Sequence, residues 1–207
     1  IKSISNTKTV KMFNDLMDKL RAKGAQVDVY DFDDATMRAI LPAYFIIANC
    51  EATSNDSNLD GIRFEVREEG ADMTEIMTNS RTKGFGPLIR RRFVIGSYGL
   101  FEENQEQIFR KAQKVRRVVV NAMDACLKDY DAIVAPASGN IAPLIKSNED
   151  QDALSDENLI AENYMAMANF SGFPSMTVPM GFEEGCPIGI NITCRALEET
   201  TMFDVAK

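Results

Sequence analysis

The sequence predicts an α/β fold, part of a mixed β-sheet flanked by helices, and three observations carry that expectation. Helix-period and strand-period segments alternate along the 207 residues. The stretch "NFSGFPSMTVPMGFEEGCPIGINI" spells a helix end and then two β-type runs around a turn of Gly, Glu and Pro. Hydrophobic residues make up 45% of the chain, enough to bury a sizeable core. No internal repeat and no linker-like composition breaks the chain, so residues 1–207 are expected to form one domain-sized piece.

Each element has its own signal. Residues 9–23, "TVKMFNDLMDKLRAK", place Val10, Phe13, Leu16, Met17 and Leu20 at helical spacing, with Gly24 as the stop. "AQVDVYDF", residues 25–32, alternates as a strand with Val27 and Val29 on its apolar side. "PAYFIIANCEATSN", residues 42–55, reads as a buried helix opening at Pro42, where a missing N–H costs little. The polar, turn-rich stretch that follows, to residue 72, reads as an exposed loop, and residues 73–83 as a modest amphipathic helix. "GFGPLIRRRFVIGSYGLF" opens another helix with Pro87 in the first helical position. Residues 104–128 carry the longest helical pattern, through Ile108, Ala112, Val115, Val119, Ala122 and Cys126. "DAIVAPAS" is a short apolar strand, and residues 148–158 are an acidic loop or rim. A helix over 159–170 ends at "SGFP", with Gly172 as its cap and Pro174 beyond. The β pair, 175–180 and 188–192, follows, and "ALEETTMFDVAK" begins one more helix.

Composition excludes several classes of function. A net charge of −8 argues against a nucleic-acid surface, which needs clustered Lys and Arg. The chain contains no histidine, which rules out a Ser-His-Asp triad, a Cys-His pair and any His-ligated metal from these residues. Cys50, Cys126, Cys186 and Cys194 form no CxxC pair and fit free thiols of a reducing cytoplasm. The longest apolar run, "AYFIIANC", is far short of the roughly 20 residues that span a bilayer. The first residues are polar, without a signal-peptide core, and begin with Ile rather than Met; we read the chain as a piece of a longer protein.

A few residues invite a site reading. Arg92, in "RRRF", borders the apolar stripe of Ile89, Phe93, Gly96 and Leu100, while Arg91 points the other way. Such an arginine either snorkels to solvent or sits in a cleft where its guanidinium fork pairs with a carboxylate. Tyr44 is either a core tyrosine with a satisfied hydroxyl or a ligand. Glu162 is either a first-turn acid complementing a helix dipole or a site residue. Ser138 has no Lys or His beside it and reads as a turn serine. Met165, Met167, Met176 and Met180 read as gap-filling core.

Taken together, "ILPAYFIIANCEATSN", "LDGIRFE", "RTKGFGPLIRRRFVIGSYGL", "FRKAQKVRRVVV", "YDAIVAPAS" and "GFPSMTVPMGF" with "PIGINI" resemble, in order and spacing, the C-terminal half of the amidase signature family. Within it, the resemblance is to the glutamine-hydrolysing subunits of tRNA-dependent amidotransferases. It implies that the nucleophilic serine, bridging serine and lysine belong to an N-terminal half, because no "GGSS" run occurs here. This half would be the substrate side, with no catalytic residue and no cofactor of its own. ATP and Mg are implied only for a partner subunit. The resemblance maps substrate contacts onto Tyr44, Arg92 and Glu162, with Arg92 on the α-carboxylate of glutamine and Glu162 on its ammonium. It also implies other amidotransferase subunits as partners, tRNA reached mainly through them, and no membrane. This chain departs from the family pattern with Glu for the usual Asp at 162, Ala137 for a frequent Thr and Phe64 for Tyr. Two other readings stand beside it: a stand-alone amidase acting on a small carboxamide, and a non-catalytic α/β binding or scaffold protein.

Overall fold

A computed structural model describes residues 4, 6–142 and 165–207, which fall into two compact units: Ile1–Leu41 with Arg116–Lys207, and Pro42–Val115. Helix α1, Thr7–Ala22, starts where the Asn6 side chain accepts from the amides of Lys8 and Thr9, at 2.9 and 3.3 Å. It stops at Gly24, whose φ of 97° few other residues adopt. Residues 25–32 do not form the expected strand. They pair with no described strand, and Val29 is 81% exposed. An alternating pattern supplies a strand face, but a ladder also needs a neighbour, and none is present among the described residues.

Helix α2, Asp34–Asn55, begins well before the expected start and carries Pro42 in its interior. The start is set upstream, where the Asp33 carboxylate accepts from the Thr36 amide at 2.8 Å. The boundary between the two units falls at Pro42. Helices α3, Met73–Gly84, and α4, Pro87–Leu100, follow as expected, with Pro87 in the first turn of α4. The long pattern after residue 101 is split into α5, Glu102–Gln105, a π-helical turn, Glu106–Arg110, and α6, Lys111–Cys126. A single wide turn changes the apolar period too little to be read from spacing.

Strand β1, Ile133–Pro136, and helix α7, Met165–Ser171, precede the hairpin of β2, Ser175–Glu183, and β3, Cys186–Thr193. The expected helix at 159–170 is seen from Met165 on; its earlier part and the acidic stretch 148–158 lie outside the described residues. Gly172 takes a φ of 70° and its amide bonds to Ala168 at 2.9 Å, closing α7. The sheet order is β1-β3-β2, antiparallel throughout, with a bulge in β2 between Pro179 and Gly181. Helix α8, Glu199–Ala206, is the last element.

The sheet has an apolar and a polar face because side chains alternate along β3. Ile188, Ile190, Ile192 and Cys194 are all buried. Phe13 and Met17 of α1 pack on Ile190, and Met202 of α8 packs on Ile192 and Cys194. Burying each of these large side chains contributes roughly 1.5–3 kcal/mol. On the other face the Asn191 amide donates to Ser175 Oγ at 3.0 Å, and Thr193 Oγ1 lies 3.2 Å from the same oxygen.

Candidate functional site

Of the three expected substrate contacts, the structure describes Tyr44 and Arg92, which belong to the second unit, on α2 and α4. The two helices approach so closely that only glycine fits at the contact. A Cβ on Gly96 would overlap Thr53 Oγ1 and the Asn49 carbonyl, and one on Gly99 would stand 2.8 Å from Cys50 Sγ. Thr53 Oγ1 donates to the Asn49 carbonyl at 2.8 Å, and the Cys50 thiol to the Gly96 carbonyl at 3.6 Å. The partners run in opposite order, Asn49 and Thr53 against Gly96 and Phe93, so the helices cross antiparallel.

Arg92 lies one turn before Gly96, on the side of α4 that turns to α2. Arg90, Arg91 and Arg92 are all exposed, and none pairs with a carboxylate among the described residues. Tyr44 is half-buried, its ring edge-on to Phe45 at 6.0 Å between centroids. At 100° per residue it stands about 140° round α2 from Asn49, away from the strip that meets α4. The described structure therefore does not bring Tyr44 and Arg92 together at this contact. Glu162 lies outside the described residues.

The region before α4 is fixed by Arg81. Its Nη1 donates to the carbonyls of Asp56 and Leu59 at 2.7 and 2.8 Å, and its guanidinium lies 5.0 and 5.1 Å from the ring centroids of Phe85 and Phe93. These rings meet edge-on at 4.9 Å. Asp60, 2% exposed, accepts from the amides of Ile62 and Arg63 and pairs with the Arg63 side chain at 2.9 Å. The backbone amides of Arg63 and Ile62, with the Arg63 guanidinium, hold its carboxyl down at about 2. A cleft of about 410 Å³ opens between this loop and α3, lined by Leu59, Glu65, Ser80, Lys83 and Phe85 among others; neither Tyr44 nor Arg92 lines it.

Sequence reasoning passed over two residues here. Arg81 holds the loop to the start of α4. Asn49 is 4% exposed, and its Oδ1 finds no donor among the described residues. The Gly96–Gly99 spacing was the available signal for the helix contact; nothing local marks Arg81 or Asn49. Ser138 is a turn serine, as expected: its hydroxyl donates to the Asn140 carbonyl at 2.8 Å and accepts from the Asn140 amide at 3.2 Å. The four cysteines are free thiols, and no described helix is long and apolar enough to cross a membrane.

The sequence profile of the family described as Amidase matches residues 3–203. The chain belongs to the amidase family. The A subunit of the glutamyl-tRNA(Gln) amidotransferase of Ectopseudomonas mendocina is 33% identical over 193 residues, 92% of this chain and 39% of that protein. The corresponding subunit of Rippkaea orientalis is 34% identical over 194 residues, again 39% of its length. The crystal structure of its counterpart from Thermotoga maritima superposes with a TM-score of 0.64 at 27% identity, covering 95% of this chain and 37% of that one. A further amidase structure, at 17% identity and a TM-score of 0.70, shares the fold. This amidase-family chain thus spans well under half the length of the relatives it matches.

Proposed function

We propose that this chain is the C-terminal, substrate-side part of a glutamine-hydrolysing amidase, the A subunit of a glutamyl-tRNA(Gln) amidotransferase. The carrying observation is its identity of 33–34% to such subunits over 92–93% of its length. Arg92 supports the reading: an exposed guanidinium without a described carboxylate partner has its fork free for a carboxylate ligand. In this reading Arg92 grips the α-carboxylate of glutamine, Glu162 balances its ammonium, and Tyr44 contributes a further contact. The acyl-transfer residues come from the part of a family-length polypeptide outside residues 1–207. Ammonia released there serves a partner subunit, which holds ATP and Mg and amidates the misacylated tRNA in the cytoplasm. A stand-alone amidase is the second reading, favoured by the departures at Ala137, Phe64 and Glu162.

The test is Arg92→Ala in the family-length protein with its partner subunits. Losing one partner of a desolvated charge pair costs about 2–5 kcal/mol. Glutamine-dependent amidation is expected to fall accordingly, while amidation from added ammonia, which bypasses the pocket, persists. Equal loss of both activities would assign Arg92 to folding. Failure of the protein to co-purify with other subunits would favour the stand-alone amidase.

A further inference from the structure

Arg92 is exposed and pairs with no carboxylate among the described residues, so its placement depends on how α4 is held. We infer that Arg81 is the positioning residue for Arg92: it fixes the rotation of α4 through Phe93, the next residue along the helix. The contact at Gly96 and Gly99 sets how closely α4 approaches α2, but a glycine has no side chain with which to lock a rotation. The bond from Thr53 Oγ1 to the Phe93 carbonyl is long, at 3.5 Å, and holds the backbone weakly.

The Phe93 side chain supplies the lock. Its ring meets that of Phe85 edge-on, at 4.9 Å and an interplanar angle of 89°. The Arg81 guanidinium lies 5.0 Å from the centre of the Phe85 ring and 5.1 Å from that of Phe93, a distance at which a cation is attracted to both. Arg81 is itself held from the other side. Its Nη1 donates to the carbonyls of Asp56 and Leu59 at 2.7 and 2.8 Å, in the turn that follows α2. Charge-assisted bonds of this length are strong. The Arg81 carbonyl accepts from the Phe85 amide at 3.1 Å, which closes α3 and keeps the Phe85 ring beside the guanidinium. One side chain thus joins the ends of α2 and α3 to the first half of α4.

Phe93 and Arg92 are neighbours on α4, so a shift of the seat that holds the Phe93 ring turns Arg92 with it. A helix rotation of about 20° moves a side chain at the helix surface by roughly 2 Å. Misplacement on that scale is enough to lose a substrate contact, because binding geometry tolerates less than about 1 Å. Lysine at position 81 would keep the charge and lose the planar fork that reaches carbonyls and rings together. This inference rests on the reading of Arg92 as the ligand of the glutamine carboxylate, and the test separates the two.

That test is a double-mutant cycle of Arg81→Lys and Arg92→Ala in the family-length protein with its partner subunits, read as KM and kcat for glutamine. Arg81→Lys is expected to raise KM about tenfold, an ordinary size for coupled residues, and to change kcat less than about twofold. In the Arg92→Ala background the same substitution is expected to raise KM no further, because the group that Arg81 places is gone. Phe85→Leu, which leaves both hydrogen bonds of Arg81 in place, is expected to follow the same pattern. An Arg81→Lys effect of equal size in both backgrounds overturns the inference and makes Arg81 a structural residue only. So does an unchanged KM, with or without a fall in kcat, and so does failure of both Arg81→Lys and Phe85→Leu to assemble with the other subunits. If Arg92→Ala itself leaves KM unchanged, the glutamine reading falls first and this inference with it.

Discussion

At the scale of single residues, the second unit contrasts charges that are satisfied with charges that are not. Asp60 takes two backbone amides and a guanidinium, and Arg81 gives two hydrogen bonds to carbonyls and lies close to two aromatic rings; both are engaged in holding a loop. Arg92 has no such engagement among the described residues, which is why the substrate reading centres on it. Glu162 complements it in that reading. Its side chain is one methylene longer than the family's usual Asp, reaching about 1.5 Å further into a pocket of the same backbone. A shorter space for the amide arm favours asparagine over glutamine. One methylene discriminates by about 1–3 kcal/mol, so the preference shifts and does not switch. Glu162→Asp in the family-length enzyme should raise the ratio of kcat/KM for glutamine to that for asparagine. An unchanged ratio with a lower melting temperature would make Glu162 a helix-start acid only.

Elements carry the next constraint, since Arg92 is only as well placed as α4. The contact of α2 with α4 depends on Gly96, where any Cβ meets Thr53 Oγ1 and the Asn49 carbonyl. Gly96→Ala should lower stability by about 1–3 kcal/mol, the usual cost of overpacking, read as a lower denaturant midpoint. Relief by Thr53→Ser, which keeps the overlapping oxygen, should be absent. Much of this element level is legible in the sequence because it is local. Gly24, Pro87 and Gly172 mark helix ends by their own backbone preferences, and the border position of Arg92 follows from turn geometry alone. What escapes is non-local. The alternation of residues 25–32 is real, but whether it becomes a strand is decided by a neighbour elsewhere. Pro42 resembles a helix start because the true cap, Asp33, stands upstream, directly behind a segment with a strand's alternation. Arg81 acts through carbonyls 25 and 22 residues away, and Asn49 through a contact seen only once α2 meets α4.

At the scale of the whole molecule, the question is whether these 207 residues can hydrolyse an amide unaided, and the expected answer is that they cannot. Acyl transfer needs an activated nucleophile and donors for the developing oxyanion. The chain has no histidine to act as base. Ser138 is tied into its own turn by the Asn140 carbonyl and amide. Burial pushes the thiols of Cys50, Cys126 and Cys194 up, away from the thiolate that would attack. Cys186 is half-buried at the start of β3, on a hairpin where no base is available from an imidazole. Purified residues 1–207 should therefore release no ammonia from glutamine or from simple carboxamides above the buffer rate, at any pH between roughly 5 and 9, the span over which enzyme acids and bases titrate. The decisive control is substitution within the chain. Hydrolysis that is measurable and then abolished by Ser138→Ala or Cys186→Ala would place a complete active site inside these residues and overturn the assignment of the chemistry to the rest of a family-length polypeptide.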